Sequence, residues 1–237
     1  MSSGLPRQRQ NPIANKPMKW IYVIAGIALY IKMMLLPNPV SELSSPEVMG
    51  AIVGETGIPN AVSGIIFRNR LYDTIFEVVV FTLSIMGVRY LLADEKPSPT
   101  IRQFTDQPSI VLARLGATIA ALICVELMLR GHLSPGGGFA AGVAGGTAIG
   151  LVAITSPAEK IEGIYKRWQV SKLEKLSVLV FIVLAVLTLS GWELPLGEFG
   201  GLISGGSIPI LNGLVAVKVA LGSWAAILLF IRYRGLL

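Results

Sequence analysis

Asp73 and Glu77 stand four residues apart at the head of an apolar stretch that continues VVVFTLSIMGV. On a helix that spacing puts both carboxylates on one side, with Arg70 on the same stripe one turn earlier. Asp73 is read either as an end-of-helix acid paired with Arg70 or as part of an ion path. Glu77 lies one turn deeper and must face protein or water. Lys218 follows Ile208 by ten residues in another apolar run, about 15 Å along a helix, near the middle of a hydrocarbon core roughly 30 Å thick. Charges at such depth are costly, face the interior or a wet cavity, and mark ion or proton routes. A buried Lys can also lock two helices together through a carboxylate. Glu126, with Arg130 four residues on, and His132 just beyond it complete the candidate ion or proton pathway. His132 is the sole histidine, with no second His or Cys beside it, so a metal site is not expected, although its ordinary pKa suits proton exchange at a helix end.

The elements that position these groups follow from hydropathy. The chain has 237 residues, 53% apolar, 14% charged, with mean hydropathy +0.67. Soluble domains carry roughly 25% charged residues, so this chain cannot cover a water-exposed surface. The expectation is an all-α, polytopic membrane protein of about six transmembrane helices, at 20–36, 72–92, 110–129, 138–154, 176–189 and 208–231. The first run is too long for a signal-peptide core and is followed by Pro37, Asn38 and Pro39 rather than a cleavage site. Basic residues gather in the leader 1–19, in 93–109, in 157–175 and in the tail, whereas the alternate loops hold only Arg68, Arg70 and Arg130. The positive-inside rule then places both termini in the cytoplasm. That distribution explains the net charge of +6 without nucleic acid. Lys32, Arg89 and Arg114 lie near helix ends and read as anchors that extend to the interface.

Four parts are expected: the leader 1–19, a two-helix part 20–92, a Pro-rich connector 93–109 and a four-helix part 110–237. Within 157–175, Ile161, Ile164, Tyr165 and Trp168 share one helical stripe, as in a short interfacial helix, although a solvated linker would read the same way. No internal repeat is evident, which suits a subunit better than a complete carrier. Gly138, Gly142, Gly146 and Gly150 recur every four residues, forming overlapping G-x-x-x-G units that allow close helix packing. The stretch is not a nucleotide loop, since no G-K-[ST] follows. One cysteine, Cys124, excludes an internal disulfide and any cysteine-held cluster, and no cofactor is expected. A serine protease built from Ser204 or Ser207 with His132 is disfavoured, because none of these sits convincingly within a span.

The segment RGHLSPGGGFAAGVAGG, Arg130 to Gly146, resembles the signature of the MnhB/MrpB family, the B subunit of Mrp-type multisubunit Na+/H+ antiporters. The preceding NAVSGIIFRNRLYDTIFEVVVF, Asn60 to Phe81, resembles the carboxyl-terminal end of the large MrpA subunit and the small membrane subunit of membrane-bound hydrogenases. Asp73, Thr74 and Glu77 match the D-T-x-x-E pattern there, with Glu77 the family's acidic residue on the ion path. The resemblance implies a non-enzymatic, multi-pass subunit of the plasma membrane, a fusion of two pieces often encoded separately. Its partners would be the other subunits of a Mrp-type complex and the lipid bilayer, and it would help exchange Na+ for H+. The same module in a redox-driven complex, with cofactors on other subunits, and a purely structural scaffold are the competing readings.

Overall fold

A computed structural model describes residues 46–98, 101 and 103–235, together with Ile24, Ile27, Ile31 and Leu35. The expected first span, 20–36, and the leader lie outside the described residues but for those four. From Glu47 onward the chain packs as one unit. Its elements are all helical, and no strand occurs among the described residues. We number them α1 (Pro46–Thr56), α2 (Ala61–Gly64, running into a π-helical turn Ile65–Asn69), α3 (Leu71–Leu91), α4 (Gln107–Arg130), α5 (Gly138–Ile154), α6 (Ala158–Arg167), α7 (Val170–Leu189) and α8 (Ile208–Arg234).

Three helices, α3, α4 and α8, are long and apolar enough to cross a membrane, and α5 is a shorter apolar helix. At 1.5 Å per residue the 24 residues of α4 extend roughly 36 Å, more than a hydrocarbon core. Helix α4 exposes Leu112, Leu115, Leu122 and Val125 while burying only Ala113 and Ala117. A soluble helix would not present such a face, which belongs against lipid or a neighbouring subunit. The chain is thus an all-helical membrane protein.

Local chemistry sets the helix boundaries. The Asp106 carboxylate caps α4 by accepting from the Ser109 N–H at 3.0 Å, and Pro108 stands in the first turn, where its missing N–H costs nothing. Between α4 and α5, Gly136 and Gly137 adopt φ of 142° and 107°, backbone angles that side-chain-bearing residues rarely reach. Gln169, at φ 48°, turns the chain from α6 into α7. Helix α7 therefore begins at Val170, six residues before the expected span at Leu176. The extension takes Lys172 and Lys175 as exposed residues, while Val170, Glu174, Ser177, Phe181 and Ala185 form one buried stripe. The stripe was hidden because three charges in six residues read as a loop.

Helix α8 is the centre of the unit: α5 and α7 pack along it, α3 crosses it, and α4 covers the other side of α5. The larger apolar core joins Leu71 and Val78 of α3, Phe181 and Ala185 of α7, and Leu211, Val215 and Val219 of α8. A second cluster at the other end joins Ala153, Ile161, Val170, Trp224 and Ile231.

Candidate functional site

Between these two clusters lies a buried ion pair. Lys218 of α8 is fully buried, and its Nζ donates to Glu174 Oε1 of α7 at 2.6 Å; Glu174 is only 6% exposed. The Phe81 ring of α3 lies 4.8 Å from the same Nζ, a cation–π contact that replaces part of the ammonium's lost hydration. Gly222, one turn past Lys218, supplies the space. A Cβ there would stand 2.5 Å from the Phe81 ring edge, 3.3 Å from Lys218 Nζ and 3.4 Å from Glu174 Oε1. The Ser177 hydroxyl donates to the Glu174 carbonyl at 2.7 Å, within the same buried stripe. Three helices thus meet at one compensated pair of charges.

A cleft of about 270 Å³, lined by Arg89, Glu159, Glu162, Tyr165, Lys166 and Arg232 among others, opens nearby. Tyr165 lines this cleft, whose surface is mainly apolar: its ring packs edge-on against Trp224 at 5.5 Å, and its hydroxyl is buried without a direct hydrogen-bond partner. Burial, reinforced by the negative charge of Glu174 and opposed by Arg89, pushes the Tyr165 phenol above its ordinary pKa, so the hydroxyl keeps its proton.

The residues expected from sequence fall in separate places. Lys218 pairs with Glu174, not with Glu77. Glu77 is exposed on α3, one turn from Phe81, and makes no ion pair or hydrogen bond among the described residues. Asp73 pairs with Arg70 near the start of the same helix. Glu126 pairs with Arg130 at 3.1 Å, both side chains more than half exposed. His132 is fully buried in the α4–α5 loop against the Gly201–Leu202 backbone, with neither ring nitrogen in a direct hydrogen bond. Burial lowers its pKa and favours the neutral ring. The described residues contain no cluster of three or more potential metal ligands.

The loop carrying His132 is held by two asparagines that the site reading from sequence passed over. Asn60 Nδ2 donates to the Gly131 and Ser134 carbonyls at 2.8 and 2.7 Å, and the Ser63 hydroxyl donates to Gly131 O at 2.7 Å. Asn212 of α8 is fully buried, and its Nδ2 reaches the Met128 and Leu127 carbonyls, at 2.8 and 3.2 Å, in the last turn of α4. Those carbonyls have no helical partner of their own. Asn212→Ala removes both bonds and strands buried acceptors, at a cost of about 1–3 kcal/mol. A thermal melt of the purified assembly is expected to show a lower midpoint, with no change in partner composition.

The glycines of α5 lie against α8. A Cβ at Gly142 would stand 2.7 Å from the Ala216 carbonyl and 2.9 Å from Val219 Cγ1, and one at Gly146 would stand 2.6 Å from Ser223 Cβ. At Gly138 the obstacles are the Asn212 carbonyl and Val215. Gly150 meets only the movable tip of Ile227 at 3.2 Å. Only hydrogen side chains at the first three positions permit the close α5–α8 approach that seats Lys218 at its depth.

Residues 108–225 match the family model described as a domain related to the MnhB subunit of Na+/H+ antiporter. They are an MnhB domain. The domain runs from the start of α4 to Ala225 of α8 and contains the glycine helix, Glu174 and Lys218; Phe81 and Glu77 precede it. Among solved structures, the chain is similar to one in the membrane-bound sulfane sulfur reductase, an archaeal respiratory membrane complex. That match has 24% identity and a TM-score of 0.64, over 92% of this chain and 98% of that one. It is also similar to a chain of the Mrp complex from Dietzia sp., at 19% identity and a TM-score of 0.56 over 94% of its length; there it spans about a quarter, 26%, of the longer chain. At these identities the likeness is one of fold. A search of curated proteins gives no match.

Proposed function

We propose that the chain is a plasma-membrane subunit of a multisubunit cation/proton antiporter of the Mrp type, exchanging Na+ for H+, and that the Lys218–Glu174 pair is a station on its ion or proton route. The observation that carries this reading is the pair itself, two ionised groups at depth in a chain with few charges to bury. A carboxylate and an ammonium 2.6 Å apart can hand a proton between them, or separate when a cation arrives to take the carboxylate. On this reading the cleft at Tyr165, whose wall carries Arg89, Glu162, Lys166 and Arg232, is the approach to the pair from the end of the bundle marked by α6. The MnhB match supports the antiporter class, and both termini are placed in the cytoplasm on charge distribution.

Glu77 belongs to the same proposal through its position. It sits one turn along α3 from Phe81, which touches Lys218, and it faces outward, where another subunit or a wet seam can meet it. Sodium-dependent proton movement in inverted vesicles tests this. Glu77→Gln is expected to lower exchange at least ten-fold while the complex still assembles; unchanged exchange would remove Glu77 from the route.

A second reading has one observation in its favour: nearly the whole chain of the sulfane sulfur reductase neighbour is matched, against a quarter of the Mrp neighbour. On that reading the subunit serves a redox-driven complex. Co-purification of subunits bearing metal clusters would establish it, and their absence from an active exchanger would exclude it.

A further inference from the structure

We propose that the groove between α4, α5 and α6 is a binding site for an anionic phospholipid, with the headgroup phosphate on Arg114 and one acyl chain along the groove. The groove encloses about 700 Å³ and is apolar almost throughout. On α4 its wall is one helical stripe, Arg114, Ala117, Thr118, Ala121, Leu122 and Val125. From first to last that stripe runs eleven residues, about 16 Å, close to the thickness of one hydrocarbon leaflet. Small side chains, Ala117 and Ala121 facing Ala148 of α5, make the channel deep enough for a chain of methylenes.

Charge distinguishes the two ends. Thr118 already donates to the Arg114 carbonyl at 2.9 Å, and the Trp224 indole N–H is buried without a partner, which leaves the Arg114 guanidinium as the charged group of the wall. No carboxylate pairs with it among the described residues. Arg114 stands seven residues, about 10 Å, from the start of α4, so its extended side chain reaches headgroup level. Ile161 and Ile164 of α6 close the groove at the same end, while Lys160 and Arg167 of α6 are exposed. A cation at the interfacial end of a leaflet-long apolar channel is complementary to a phosphodiester with a hanging acyl chain, and basic pockets between membrane helices take such headgroups. A partner helix in the same groove would have to bring a carboxylate to that depth, where phosphates are present by default.

The test uses the detergent-purified assembly containing the full chain, titrated with dioleoylphosphatidylglycerol or dioleoylphosphatidylcholine and read by native mass spectrometry. The unaltered assembly is expected to prefer the anionic lipid. Arg114→Gln should weaken that lipid by about ten-fold, the loss of one charge-assisted contact. Ala121→Phe, which fills the channel, should weaken both lipids while leaving subunit composition intact. Equal binding of the two lipids by the unaltered assembly, phosphatidylglycerol binding by Arg114→Gln at the unaltered level, or a polypeptide helix seated in the groove of the assembled complex would overturn the proposal.

Discussion

Lys218→Met alone is expected to remove most of the assembled protein from the membrane fraction, and Glu174→Gln alone to do the same to a smaller degree. Each single change leaves its partner buried without compensation, a loss of about 3–5 kcal/mol where a buried pair is broken from one side. That is a large share of a total stability of roughly 5–15 kcal/mol. Lys218→Met suffers more, because the cation–π contact with Phe81, about 0.5–2 kcal/mol, goes with the ammonium. The double variant removes both charges and keeps most of the volume, so it should recover assembly to near the unaltered level. Quantitative immunodetection of the solubilised complex checks this, and a coupling energy above about 2 kcal/mol between the two sites is the expected result. Additive losses would mean that the two side chains do not interact in the assembled protein.

Gly142→Leu is the second large effect. Even a Cβ at this position meets the Ala216 carbonyl at 2.7 Å and the Val219 side chain, and neither can retreat, since backbone and a β-branched residue form the obstacle. The α5–α8 contact must open by several ångströms, which breaks the Asn212 hydrogen bonds and displaces Lys218 from Glu174. No intact complex is expected from this variant. Gly163→Ala is the control: a Cβ at Gly163 on α6 meets nothing within 4 Å, and the change should leave yield unaltered. Recovery of a normal complex with Gly142→Leu would show that α5 and α8 do not hold this contact in the assembly.

The candidate site was legible in part, for physical reasons that differ by residue. Lys218 stood out because it is a lone charge ten residues into an apolar run, and depth alone marks such a group. Its partner did not. Glu174 is flanked by Lys172 and Lys175, and hydropathy averaged over those three charges hides that the two lysines face outward and the glutamate inward. The stripe Val170, Glu174, Ser177, Phe181, Ala185 was readable at helical spacing once the helix was allowed to start at Val170. Phe81 and Gly222 carried no signal, because an aromatic ring and a glycine in apolar helices have many ordinary uses. Asn60 and Asn212 were overlooked for a related reason: their role lies in carbonyls of a distant loop, and sequence spacing does not reveal which carbonyls lack partners. The glycine helix was readable as a packing face, whereas its neighbour, α8, became known only from the fold.

Sodium-dependent proton movement in inverted vesicles carrying the double variant Glu174→Gln with Lys218→Met tests the central claim most directly, because assembly and charge are separated in that protein. The pair as a station on the route predicts an assembled complex with exchange at the background level. Exchange at the unaltered rate from an equal amount of assembled double variant would contradict it, and would leave the pair as a helix lock alone.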